Sequence, residues 1–129
     1  MLNIFEVTGL YTAIFGVLMV FFTLRVGLYR MNSRISFGDE GDKELLCRMR
    51  AHGNFVENVP MGLILLAMVE AAGAADGWLH VIALLLLVGR LSHWLQLSGF
   101  IKPLPFRMMG MMLTFISMLT SSVWLLLNL

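Results

Sequence analysis

The segment RMRAHGNFVENVP, residues 48–60, gathers side chains capable of chemistry in a chain otherwise poor in them. On a helix, Arg50, Asn54 and Glu57 stand at i, i+4 and i+7, which places them within about 60° of one another as one polar stripe. Arg48 and His52 form a second stripe beside it. Further along, Arg90 and His93 share a helix face at i, i+3, with Gln96 near it. Arg107 follows Pro105, and Arg30 stands well upstream. Brought together, these groups would form a basic pocket with one embedded carboxylate. Guanidinium groups grip anionic oxygens with paired, charge-assisted hydrogen bonds, so the ligand class is a small polyanion. Glu57 is then free to pair an arginine or a ligand ammonium.

Several of these residues also have a purely structural reading. Glu57 with Arg50 could be an intrahelical pair. Arg25, Arg34, Lys43 and Lys102 are expected to mark topology, with snorkelling side chains. His52 and His93 read as hydrogen-bonded pocket walls, since no third His, Cys or acid stands at ligand spacing; no metal site is expected. Cys47 is expected to be a small buried residue, and His80 to be interfacial. Glu6, Glu70 and Asp76 read as solvent-accessible, Trp78, Trp94 and Trp124 as members of interfacial belts, and the run MMGMML as soft packing.

The elements that must position these groups follow from composition. Of 129 residues, 59% are hydrophobic, against nine basic and eight acidic ones. A soluble domain carries roughly 45–50% apolar residues even with glycine counted. Disorder is excluded by the same excess, and a disulfide scaffold by the single cysteine. A net charge of +1 is too small for a nucleic-acid footprint, so no nucleic-acid partner is expected. What remains is an all-α integral membrane four-helix bundle, because a spanning helix takes about 20 apolar residues. Residues 7–24 carry no charge. Asp42 is a candidate N-cap after the glycine-rich loop, and Pro60 should bend the second helix. The stretches AAGAADG and GFIKPLP read as turns. The helices are expected at about 5–31, 43–72, 78–98 and 105–128, in one domain over 1–129. All nine basic residues fall in or beside the first and third loops. The positive-inside rule makes those loops cytoplasmic and puts both termini on the opposite side.

The run R-A-H-G-N-F-V-E-N-V-P, from Arg50 to Pro60, resembles the signature of the MAPEG family, the membrane-associated proteins in eicosanoid and glutathione metabolism. The segment with Gly89, Arg90 and His93, the arginine after Pro105, and the stretch from Arg30 to Asp39 are similar too. The likeness covers the whole chain and is nearest to bacterial members, which implies a bacterial inner membrane. It further implies a homotrimer with glutathione between adjacent subunits near the cytoplasmic face. The positions matching the family's glutathione contacts are Arg30, Arg50, His52, Asn54, Glu57, Arg90 and His93. Arg107 matches the catalytic arginine that stabilises the glutathione thiolate. The implied activity is a glutathione S-transferase, with peroxidase activity as an extension, acting on a lipophilic electrophile or lipid hydroperoxide. The chain departs from the eicosanoid-synthase pattern at Leu97 and Met108, where a tyrosine and a serine stand in such members. A non-catalytic lipid-binding or scaffold protein of the same fold is the alternative. A small multidrug transporter would need an acid deep in an apolar helix, and none lies between Val7 and Leu24.

Overall fold

A computed structural model describes residues 5–128. It contains four helices: α1 Glu6–Ser33, α2 Lys43–Ala71, α3 Asp76–Leu97 and α4 Pro105–Asn128. No strand occurs among the described residues. Each helix is long and apolar enough to cross a bilayer, and the chain is an all-helical integral membrane protein. α1 runs two residues past its expected end, and α3 begins two before its expected start.

The helix ends are set by local chemistry. α1 stops at Arg34, whose left-handed conformation (φ 57°) turns its N–H back toward the last carbonyls. Gly38 and Gly41 take positive φ in the loop that follows. Asp42 caps α2 as its sequence position suggests, its carboxylate accepting from Glu44 N at 2.9 Å and Leu45 N at 3.0 Å. Pro105 opens α4, where a missing N–H removes no helical bond. α2 continues through Pro60 to Ala71.

α3 and α4 make the most extensive contact; α2 packs on all three other helices, while α1 and α4 do not meet. The reason for the tight α3–α4 crossing is the pair Gly89 and Gly110. A Cβ on Gly110 would stand 2.6 Å from Gly89 O and 2.7 Å from His93 N. Small residues let membrane helices approach this closely, and close approach is what drives their association. The stripe continues down α4 as Thr114, Ser117 and Ser121, all buried. Ser117 Oγ donates to Ile82 O of α3 at 2.9 Å, and Ser121 Oγ to Ser117 O within α4. Between α2 and α3, Leu86 fills the space left by Gly62.

Phe15 and Phe22 of α1, Phe55 of α2 and Trp94 of α3 form the aromatic part of the core. Phe22 stacks on Trp94 with centroids 4.1 Å apart and meets Phe55 edge-on at 4.9 Å. Trp94 is therefore a buried core residue and not a member of an interfacial belt. Outward-facing side chains such as Val17, Ile64, Leu84, Leu119 and Leu126 are exposed and apolar. That surface suits hydrocarbon and is larger than a soluble monomer tolerates.

Cross-helix contacts define the two ends of the bundle. At one, Tyr29 of α1 donates to Asp42 before α2, and Arg25 of α1 reaches Ser98 O after α3. At the other, α1 begins beside the end of α2 and the start of α3. There the Glu70 carboxylate accepts Val7 N and Thr8 N, both at 2.8 Å. Tyr11 OH and His80 Nδ1 lie 3.2 Å apart. One expectation changes here. Glu70 is no solvated loop acid: it caps a helix more than sixty residues away. His80 has a partner in Tyr11.

Candidate functional site

All nine basic residues lie toward the end that carries the 34–42 and 98–104 loops. Within it, one small cavity of about 130 Å³ is lined by Arg50 and Asn54 of α2, His93 and Leu97 of α3, and Arg107 of α4. The local reason is helical phase. Asn54 lies one turn beyond Arg50, Leu97 one turn beyond His93, and Arg107 in the first turn of α4 where that helix crosses α3 at Gly110.

Arg90 does not line this cavity but is bonded to Asn54 of its wall. It is 1% exposed. Its Nε donates to Thr114 Oγ1 at 2.7 Å, one Nη to Asn54 Oδ1, and the other to Gly110 O at 3.1 Å and to Met111 Sδ at 3.3 Å. One guanidinium thus ties α2 and α4 to α3. No carboxylate balances it: the ion pair among the described residues is Arg48–Glu44, at 2.5 Å on the surface. Four neutral acceptors instead satisfy a charge that would be costly to bury bare. Asn54 is fixed by this bond, so its remaining surface faces Arg50 and His93 in a defined pose.

Arg50 and Arg107 differ from Arg90 in every respect. Both are exposed, and neither donates a hydrogen bond among the described contacts. Arg107 stands at the N-terminus of α4, whose first turn holds no acid. A cation there adds to the positive end of the helix dipole instead of offsetting it. The arrangement therefore favours an anion between Arg50 and Arg107, with His93 as the buried wall behind it.

The other three candidate residues lie elsewhere. Arg30 is engaged by the first loop, with Nη1 donating to Gly38 O at 2.8 Å and Nη2 3.1 Å from Met49 Sδ. It lines a separate cavity with Gly27 and Arg34. His52 faces α1, its Nε2 3.0 Å from Thr23 Oγ1. Glu57 is exposed and makes no ion pair with Arg50. Seven residues of helix rise separate that pair by about 10 Å, too far for a direct contact. Cys47 is exposed, contrary to the expectation of burial, because it points away from the buried Leu45 face of α2. Among the described residues no group of His, Cys, Asp and Glu could hold a metal ion.

Reading from residue types missed Gly110 and Thr114, which accept from Arg90, and gave Gly89 no packing role. Their signal was present: Gly110, Thr114, Ser117 and Ser121 recur at helical spacing on α4, a small-residue seam among methionine and leucine side chains.

Comparison with known proteins agrees with the geometry. A profile described as MAPEG family matches residues 8–127. The chain is 36% identical over 88 residues to "Inner membrane protein YecN" of Escherichia coli strain K12, covering 68% of this chain and 67% of that protein. The protein of the same name from Escherichia coli O6:H1 matches over the same shares, again at 36% identity. Four apolar helices, a basic end carrying the Arg50–Pro60 signature, and a family match across nearly the whole chain lead to one conclusion: the protein belongs to the MAPEG family.

Proposed function

We propose that the chain is a membrane-bound glutathione S-transferase, with peroxidase activity toward lipid hydroperoxides as an extension of the same chemistry. The observation that carries this reading is the cavity that Arg50, Arg107, Asn54 and His93 line together, with no carboxylate among its lining residues. Arg107 is the residue that holds the sulfur as its anion. A free thiol titrates near 8.5 and is mostly protonated at neutral pH. A guanidinium within hydrogen-bond reach, at the positive end of a helix, favours the thiolate and releases its proton to water. Arginine suits the role because it keeps its charge in a partly dry site. The thiolate then forms a bond to carbon of a lipophilic electrophile as that carbon's bond to its leaving group breaks; with a hydroperoxide it takes the terminal oxygen as a sulfenic acid while the O–O bond breaks and the alkoxide leaves with a proton from water, and a second glutathione converts the sulfenic acid to disulfide and water. Arg50, Asn54 and His93 bind and orient the peptide, and Arg90 holds Asn54 in place.

A cavity of about 130 Å³ admits only part of a tripeptide, since sites that enclose a whole small ligand run to roughly 300–1,000 Å³. The reading therefore includes a homotrimer in which the remainder of the peptide lies between copies. Arg30, His52 and Glu57, which do not line this cavity, are assigned to that contact. It also places the protein in a bacterial inner membrane with the basic end cytoplasmic, so that a water-soluble thiol meets a bilayer-soluble partner.

The test is ultraviolet difference spectroscopy of the detergent-purified protein with glutathione. Wild type should develop the thiolate band at neutral pH. Arg107→Ala should lose it and slow conjugation about a hundredfold or more, while the assembly persists. If Arg107→Ala ionises glutathione as wild type does, the mechanism is wrong. A second reading, a non-catalytic lipid-binding protein, draws on Leu97, which puts an apolar side chain into the cavity where a hydroxyl could have assisted. Equilibrium binding of labelled glutathione separates the two, because that reading requires no tripeptide site.

A further inference from the structure

A second basic pocket lies on the α1 side of the molecule and shares no residue with the cavity of Arg50 and Arg107. It is larger, about 470 Å³, and is lined by Phe21, Leu24, Arg25, Leu28, Tyr29, Asn32 and Arg48. Its composition is divided. Phe21, Leu24 and Leu28 are apolar and more than half exposed, on the outward face of a spanning helix. Tyr29, Asn32 and Arg48 close the upper part, next to the loops, while Arg25 lies between Leu24 and Leu28 along the axis.

The two arginines are unequally satisfied. Arg48 pairs with Glu44 through Nε and one Nη, its other Nη donates to Arg25 O at 3.4 Å, and its guanidinium lies 4.3 Å over the Tyr29 ring. Tyr29 OH is committed to Asp42, whose carboxylate also caps α2. Both nearby acids are thus engaged above the pocket. Arg25 is held between the rings of Trp94 and Phe100, 5.0 and 4.8 Å from their centroids, with one Nη donating to Ser98 O at 3.3 Å. Its other Nη is buried with no hydrogen-bond partner, and so is Ser98 Oγ in the same corner. Buried polar atoms without partners are rare, and two in one place point to a missing acceptor.

We propose that this pocket binds an anionic phospholipid, its phosphate between Arg25 and Arg48 and one acyl chain along Phe21, Leu24 and Leu28. Charge complementarity selects an anion. The apolar lower wall selects a lipid over free phosphate, since a small ion would leave that wall uncovered. Arg25 lies eight residues before the end of α1, roughly 12 Å along the axis. The Tyr29 ring beside it marks the depth at which headgroups meet hydrocarbon.

The experiment measures thermal unfolding and lipid binding of the full-length protein in detergent, by native mass spectrometry. The probes are phosphatidylglycerol, phosphatidylcholine of identical chains, and inorganic phosphate. Phosphatidylglycerol should raise the unfolding temperature and bind with defined stoichiometry, and the other two should do neither. Arg48→Gln should weaken phosphatidylglycerol binding about fivefold or more, as should Arg25→Lys, which keeps the charge but loses the planar fork. Arg48→Gln serves where Arg25 variants fail to fold, because Arg48 takes no part in the Trp94–Phe100 sandwich. Lys102→Gln, which removes a charge outside the pocket, should bind as wild type. Equal stabilisation by phosphatidylcholine, equal loss in Lys102→Gln, or competition by inorganic phosphate alone would each overturn the assignment. So would self-association without lipid that Arg48→Gln abolishes, which would give this face to a second copy of the chain.

Discussion

The two ends of the bundle hold their polar groups under opposite conditions. At the end that carries Glu6, Glu70 and Asp76, the Glu70 carboxylate is closed on two backbone N–H groups of α1, and Tyr11 is paired with His80. At the other end, Arg50 and Arg107 border a cavity without a carboxylate or a hydrogen bond of their own. Arg90, one turn below, belongs with the closed kind although it lies at the open end, because every nitrogen of its guanidinium has an acceptor. The difference separates groups that hold the helices together from groups left available to a guest. Charge and spacing alone do not make that separation, since Arg50, Arg90 and Arg107 are all arginines near helix ends.

Substitutions should divide along the same line. The largest effect is expected for Arg90→Ala, which leaves Thr114 Oγ1 and Asn54 Oδ1 without a donor, though Gly110 O keeps Thr114 Oγ1, and opens a void between three helices. A loss of about 3–5 kcal/mol is expected, read by denaturant titration in mixed micelles. Arg90→Met should cost less, because it fills the volume and removes the buried charge. If Arg90→Ala unfolds like wild type, Arg90 is not a tie between helices and the contrast fails. Glu70→Ala comes next, at about 1 kcal/mol, the usual scale for losing a helix cap, with Glu70→Gln milder because its amide oxygen still accepts. Amide exchange at Val7 and Thr8 should accelerate in the same variants.

A smaller effect concerns pH. The N–H of Leu45, with Tyr29 OH and the N–H of Glu44, holds the Asp42 carboxyl below its ordinary value of 3.8. Its stabilisation of the α2 start is complete above that value and is lost as pH falls through the lowered one. Asp42→Asn should therefore be less stable than wild type at neutral pH and converge with it in acid; parallel curves would dismiss the carboxylate's role. The smallest stability changes are expected for Arg50→Ala and Arg107→Ala, within about 0.5 kcal/mol of wild type. A collapse of either variant would mean that the open end is structural after all.

Much of the fold was legible because its signals are local. An uncharged run over residues 7–24 can only be a spanning segment, and Asp42 after a glycine-rich loop declares a helix start. The two stripes on α2 were legible for the same reason: Arg48 and His52 do turn toward α1, while Arg50 and Asn54 turn toward α3 and α4. What escaped was decided by partners distant in the chain. Trp94 near a helix end reads as interfacial until Phe22 is laid against it. Glu70 beside a turn reads as solvated until the first turn of α1 arrives to claim it. The site divides likewise. Helical phase brings Arg50 and Asn54 together, yet only the approach of α4 at Gly110 shows that Arg90 is enclosed while Arg107 is open.

The Glu70 clasp bears on how the protein enters its membrane. The first turn of α1 exposes amide hydrogens that hydrocarbon cannot solvate, and the last turn of α2 carries an anion that it solvates even less well. Each finds its hydrogen-bond partner only in the other. The smallest segment of chain whose polarity is internally balanced at that face is therefore the paired hairpin of α1 and α2, and insertion is complete there only once the second span has returned to meet the first.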